Sequence, residues 1–290
     1  MIDLYQTFEK KINYLIDKII KENDSISLRS GAVKLDLSLD NSSLTTRAEL
    51  ALRHAKDTSA HKLICFDKSF SERIEKREQL LADVVTGIGK KEFIPYYQPK
   101  LNYETGKIQG VEALIRWNSE LLGFVSPEVF IPLAEQAGLI NSITRWVIKR
   151  VITDVADWKK QGIELQVAVN LSVHDIGDPD LIPSTLEELE KAQLPITALS
   201  FEITESELMT DPESACEQLA SIRNLGFSLS IDDFGTGYSS LAYLKDMPVS
   251  ELKIDKSFVL NIANNKDDQN IVSIVIALAK TLGLGIVAEG

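Results

Sequence analysis

The sequence predicts an α/β protein: a TIM-like (β/α)8 barrel whose eighth strand is missing from the chain, preceded by a small N-terminal α+β domain. Three observations lead there. From residue 91 onward, short apolar runs of strand type alternate with long amphipathic stretches, the pattern of βα units laid into a parallel sheet. Seven such runs occur where a closed barrel has eight, and the chain stops after the seventh. The charge balance also changes: residues 1–90 carry 15 basic and 14 acidic side chains, whereas residues 91–290 carry 16 and 29.

The first segment opens with Tyr5, Phe8, Ile12, Leu15 and Ile19 at helical spacing. Between Ser25 and Leu39 the apolar residues Val33, Leu35, Leu37 and Leu39 alternate as in a half-buried strand or hairpin. Thr46 with Glu49 reads as a capping box ahead of Leu50, and a short strand follows over residues 62–66. Together these make the predicted domain of residues 1–67. A second capping box, Ser69 with Glu72, starts a connecting helix over residues 68–90, with Phe70, Ile74, Leu81 and Val85 on its apolar face.

The barrel is placed at residues 91–290. Its strands are expected at 93–98, 110–115, 165–170, 199–203, 227–232, 250–255 and 285–289. Ser126 before Pro127 and Asp211 before Pro212 mark helix starts, and Gly138 and Gly162 mark helix ends.

Composition narrows the function. The 290 residues hold 31 Lys+Arg against 43 Asp+Glu, a net charge of −12, with 44% hydrophobic residues. A net acidic surface without a basic stripe repels a phosphate backbone, so a nucleic-acid polymer is not the expected partner. No apolar run nears the ~20 residues that span a bilayer, so no membrane segment is expected. Without a secretory signal, and with Cys65 and Cys216 as the only cysteines, the expected location is cytoplasmic. Both cysteines read as buried fillers, His174 as a surface residue, and Trp117 as the one tryptophan near the site.

Chemistry enters at the strand ends. Successive apolar runs close on Glu112, Asn170, Glu202, Asp232 with Asp233, Lys253, and Glu289. In a barrel these ends share one rim, the rim that carries the active site. Carboxylates crowded there raise one another's pKa unless cations neutralise them. Oxygen-only ligands suit Mg²⁺ or Mn²⁺, and the absence of His and Cys argues against zinc. Adjacent Asp232 and Asp233 let one carboxylate bridge two ions about 3.5–4 Å apart, the arrangement for in-line attack on phosphate esters. Any single strand-end carboxylate is more often a solvated surface group; six or seven polar groups aligned at the same end of successive strands are not.

The same residues carry a resemblance. Glu112-Ala113-Leu114-Ile115-Arg116-Trp117, Val169-Asn170-Leu171-Ser172, the segments 201–206 and 232–241, Leu252-Lys253-Ile254-Asp255 and Ala288-Glu289-Gly290 resemble, in order, the motifs of the EAL-domain family of cyclic di-GMP phosphodiesterases. The resemblance covers residues 92–290. It implies metal-dependent hydrolysis of cyclic di-GMP to linear pGpG, with Glu112, Asn170, Glu202 and Asp232 on one ion and Asp232, Asp233 and Glu289 on the second. It further implies that Lys253 orients or activates the attacking water, that Gln98 and Arg116 contact the cyclic dinucleotide, and that Glu205 braces the loop after Asp233. That loop couples the metal site to a homodimer interface in the family, so a homodimer is expected. A non-hydrolysing cyclic di-GMP receptor and a protein-interaction scaffold are the alternatives. The segments 47–56 and 61–67 resemble the last helix and strand of a GGDEF (diguanylate cyclase-like) domain. No Gly-Gly pair occurs in the chain, so cyclase activity is not expected.

Overall fold

The computed structural model describes residues 10–19, 28–33, 40–57, 63–66, 68–209, 211–236 and 241–290. The chain divides into two compact units, residues 1–80 and 81–290.

In the first unit a helix over residues 10–19 (α1) precedes β1 (Ser30–Val33), α2 (Asn41–Asp57) and β2 (Leu63–Phe66), with α3 (Lys68–Lys90) following. β1 and β2 pair in parallel, so α2 serves as their crossover. Gly31 allows the close approach: a Cβ there would lie 2.3 Å from the backbone nitrogen of Leu52. Ala51 and Phe66 form the core under Val33, Leu50, Ile64 and Ile74. Tyr5, Phe8, Leu35, Leu37 and Leu39 lie outside the described residues.

The helix starts need correction. α2 begins five residues before Thr46, where Asp40 accepts the Ser43 amide at 3.0 Å. Thr46 is inside the helix and its hydroxyl donates to the Ser42 carbonyl at 2.9 Å. An aspartate ahead of two serines is the stronger cap, because its charged oxygen also meets the helix dipole. On α3, Val84 is buried and Val85 is 55% exposed, so the apolar face is rotated by one residue from the expected one. The side chains of Ser69 and Phe70 lie outside the described set.

In the second unit the order is β3 (Phe93–Leu101), β4 (Ile108–Ser119), β5 (Gly123–Val125), α4 (Pro127–Gln136), α5 (Ile140–Lys160), β6 (Gln166–Asn170), α6 (Val173–Ile176) and α7 (Leu181–Lys191). It continues with β7 (Leu199–Thr204), α8 (Glu205–Leu208), α9 (Pro212–Asn224), β8 (Ser228–Phe234), α10 (Leu241–Asp246), β9 (Glu251–Ile254), α11 (Lys256–Val259), α12 (Lys266–Leu282) and β10 (Gly285–Ala288). The sheet path is β10-β9-β8-β7-β6-β4-β3, with β5 paired to β4.

The strands from β4 to β10 on this path pair in parallel, but β3 is antiparallel to β4, which corrects the all-parallel expectation. Six residues separate the two strands, too few for a parallel crossover. They turn through Gly106, at φ +66, whose amide donates to the Asn102 carbonyl at 2.8 Å. The short β5 was not among the seven expected strands. It extends the same end of β4 by a second hairpin through Gly123, at φ +70. Among the described residues β10 and β3 do not pair, so the path is open there.

Ser126 and Asp211 sit at the N-caps of α4 and α9, and Gly138 and Gly162 follow the ends of α4 and α5 at φ +68 and +78. On α5, Ile143, Val147, Val151 and Val155 are buried at helical period. Beside them Phe93, Trp117, Phe130 and Trp146 pack ring against ring, with Phe93 and Trp117 stacked at 5.3 Å. Trp117 thus belongs to this core and not to the site: it alternates with Arg116 and faces the other side of β4. Neither cysteine is fully buried; the Cys216 thiol donates to the Asp246 carbonyl.

Tyr97 ties β3 to α5: its hydroxyl donates to Asp154 at 2.6 Å and its ring meets Trp158 edge-on at 4.7 Å. Burial, then the Asp154 carboxylate, hold the phenol far above its ordinary pKa. Tyr97→Phe is expected to cost about 1–2 kcal/mol in chemical denaturation, since one hydrogen bond to a charged partner is lost while Arg150 still pairs Asp154.

Candidate active site

Lys253 lies at the centre of the site, on β9, and is 1% exposed. Its ammonium donates to Glu112 at 3.0 Å (β4), Glu202 at 2.5 Å (β7) and Asp232 at 2.9 Å (β8), and pairs with Glu289 at 2.7 Å, just past β10. Each carboxylate sits on the inward face of its strand because side chains alternate and parallel register places them side by side. Asn170, the last residue of β6, is the register partner of Glu202 and donates to the second oxygen of Glu112 at 2.9 Å.

Two groups of carboxylates bring oxygens within 4.8 Å of one another: Glu112, Glu202 and Asp232, and Asp232, Asp233 and Glu289. They share Asp232. Its neighbour Asp233 takes a left-handed backbone (φ +52) and donates its amide to Asp232 at 2.8 Å. A non-glycine residue held there is a strained conformer of the kind concentrated at functional sites.

The electrostatics show an excess of negative charge. Burial pushes Glu202 up to about 7, with the Glu112 carboxylate adding to it and Lys253 and Lys100 opposing. Burial and the carboxylates of Asp232, Asp255 and Glu289 push Asp233 up to about 6. Glu289 is raised as well, first by burial. Burial alone would lower Lys253, but Glu202, Asp232 and Glu112 outweigh it and its pKa is raised. In this geometry the Lys253 ammonium donates hydrogen bonds to the surrounding carboxylates.

One lysine cannot neutralise five carboxylates, and the elevated pKa values persist with Lys253 and Lys100 in place. The donor set is oxygen throughout, so the residues present fit hard divalent cations such as Mg²⁺ or Mn²⁺.

Gln98 stands opposite Glu112 in the β3–β4 register, on the same face. Arg116 is two same-face positions beyond Glu112, with its guanidinium 5.7 Å from the Tyr96 ring. Gln98 is therefore beside the acidic cluster, and Arg116 is displaced toward the far end of β4. Glu205, 1% exposed, accepts the Gly235 amide at 2.7 Å where the loop after Asp233 begins; residues 237–240 lie outside the described set. His174 is exposed.

Sequence reasoning missed Lys100 and Glu251. Lys100 contacts Glu202 and lies 3.3 Å from Glu251, which accepts from Ser230 at 3.0 Å. The signal was available: each of these three residues is two positions before or after a site residue, hence on the same strand face.

The model of the EAL domain matches residues 77–290. MucR of Pseudomonas aeruginosa, a bifunctional diguanylate cyclase/cyclic di-GMP phosphodiesterase, is 39% identical over 248 residues, 85% of this chain and 36% of MucR. A cyclic di-GMP phosphodiesterase of the same organism is 39% identical over 212 residues, 73% of this chain and 36% of its own length. The chain therefore spans little more than a third of these two relatives. A solved structure of the MucR phosphodiesterase in complex with c-di-GMP is 41% identical with a TM-score of 0.69, covering 73% of this chain and 86% of that one. Family match and identity agree over the unit that holds the site: the chain belongs to the EAL-domain family.

Proposed function

We propose that the chain is a metal-dependent phosphodiesterase that hydrolyses cyclic di-GMP to linear pGpG. One observation carries this reading: two carboxylate groups sharing Asp232, assembled at the ends of successive strands. Glu112, Asn170, Glu202 and Asp232 would hold one Mg²⁺ or Mn²⁺, and Asp232, Asp233 and Glu289 a second. Bound there, such a pair supplies Lewis-acid polarisation of the phosphate and a water acidic enough to attack at neutral pH.

The chain's own residues do the rest. Lys253 orients the water and the phosphate oxygen by donating hydrogen bonds. Gln98 and Arg116 hold the dinucleotide, the guanidinium being suited to a phosphate. Glu205 supports the Gly235 turn and through it the position of Asp233. The water oxygen joins phosphorus, the P–O3′ bond breaks, and the 3′ oxygen takes up a proton.

Around this core stand further readings of the same proposal. The gap between β3 and β10 is the place of an eighth strand in a (β/α)8 barrel. Residues 1–67 are a GGDEF-like segment and residues 68–90 the connection to the barrel domain of 91–290; the β1–β2 pair with α2 between its strands supports a small unit of helix and strand there. The protein acts as a homodimer in the cytoplasm, as the family loop and the sparse cysteines suggest. Among the described residues no helix is long and apolar enough to cross a membrane.

Incubation with cyclic di-GMP and Mn²⁺, following both binding and pGpG, tests the reading. Product supports the enzyme, binding without product supports the receptor, and no binding supports the scaffold.

Metal uptake should also depend on pH in a defined direction. Glu202 and Asp233 hold protons up to about 7 and about 6, and a protonated carboxyl does not ligate. Mn²⁺ affinity, measured by calorimetry, is expected to rise roughly tenfold from pH 6 to pH 8 with release of protons. Affinity constant across that range would contradict it.

A further inference from the structure

Beneath the acidic cluster the barrel interior is lined by small residues. Two positions before Glu112, Asn170, Glu202 and Asp232, on the same strand faces, stand Gly110, Ala168, Ser200 and Ser230. They line part of a cavity of about 880 Å³ that also takes in Gln98, Glu112, Lys253 and Glu289 and opens between β3 and β10. Lys100 enters it from β3, two residues past Gln98. Its register partner is Gly110, which has no side chain to block its path across to β7 and β9.

The Lys100 ammonium meets Oε1 of Glu202 and lies 3.3 Å from Oε1 of Glu251. Glu202 is fully buried, and its other oxygen, Oε2, is the one facing Lys253. The carboxylate is therefore held at both ends, with Oε1 committed to the barrel floor and Oε2 to the rim. A methionine or leucine would fill the floor with less desolvation cost than a lysine, which points to a role other than packing.

We infer that Lys100 is a positioning residue for Glu202, pinning Oε1 from below so that Oε2 is presented to the group formed with Glu112 and Asp232. The inference rests on the proposed reading of that group as a cation site. Lys100 meets Glu202 through Oε1, the oxygen that does not face Lys253. Its removal therefore acts on cation uptake and turnover and leaves substrate affinity alone. Simple charge repulsion between Lys100 and an incoming cation has the opposite sign: on that ground alone, losing the lysine would tighten binding.

Mn²⁺ calorimetry and cyclic di-GMP kinetics on the full 290-residue chain decide the matter. Lys100→Met is expected to weaken Mn²⁺ about tenfold and to lower kcat comparably with KM unchanged. Lys100→Arg, which restores a cation donor, should return Mn²⁺ affinity to within about threefold of wild type. Unchanged or tighter Mn²⁺ binding by Lys100→Met, in a protein that still melts cooperatively, overturns the inference while leaving the site reading intact. If Lys100→Met does not fold, Lys100→Gln is judged by the same criteria. No Mn²⁺ uptake by the wild type overturns both.

Discussion

Replacement of Glu112 by Ala is expected to lower the hydrolysis of cyclic di-GMP by at least about a thousandfold, or roughly 4 kcal/mol of transition-state stabilisation. Glu112 contributes in two ways. One of its oxygens belongs to the buried trio with Glu202 and Asp232, and its Oε1 accepts from Asn170, so its loss removes one proposed ligand and releases another. The fold has less at stake, because β4 keeps its ladders to β3 and β6 whatever side chain occupies that position. The expected pattern is near-normal melting of the metal-free protein with turnover lost at any Mn²⁺ concentration. Retained turnover in a purified Glu112→Ala protein would refute the assignment of this cluster as the reaction centre.

Lys253→Met should show the reverse balance in the absence of metal. The wild-type ammonium is buried against four carboxylates. Removing it leaves those charges facing one another, and breaking a buried ion pair from one side costs roughly 3–5 kcal/mol. For a unit of this size that is a fall of about 10 °C in Tm. Added Mn²⁺ should recover much of this stability, because a divalent cation supplies the lost positive charge, yet turnover should remain at least about a hundredfold down. A Tm unaffected by the substitution would refute the counter-ion role, and restored activity with restored stability would show that Lys253 serves only as a counter-ion.

Much of this was legible because the informative residues obey one rule. Glu112, Asn170, Glu202, Asp232 and Lys253 each occupy an inward position near the end of an apolar run, and parallel register converts that sequence position into spatial proximity. The direction of β3 was not legible in the same way. Phe93–Gln98 has the alternation of any strand, and only the short turn through Gly106 decides that it runs against β4. Trp117 was misplaced because adjacency to Arg116 in sequence means opposite faces in a strand. Thr46 was misread because two overlapping caps competed and the charged one, Asp40, prevailed. Lys100 escaped notice because it does not close an apolar run; only its spacing two residues past Gln98 marks its face, and its partners, Glu202 and Glu251, come from strands about 100 and 150 residues away.

The antiparallel start of the sheet has a consequence for how the site can be adjusted. Gln98, Glu112 and Arg116 ride on a single two-stranded ribbon, so the spans from Gln98 and Arg116 to the first acidic group are fixed by main-chain bonding. Asp233 is placed differently, at the head of a turn braced by the Glu205 side chain. The two walls of the cleft thus differ in kind: main-chain ladders set the geometry of one, and a single buried side chain braces the other.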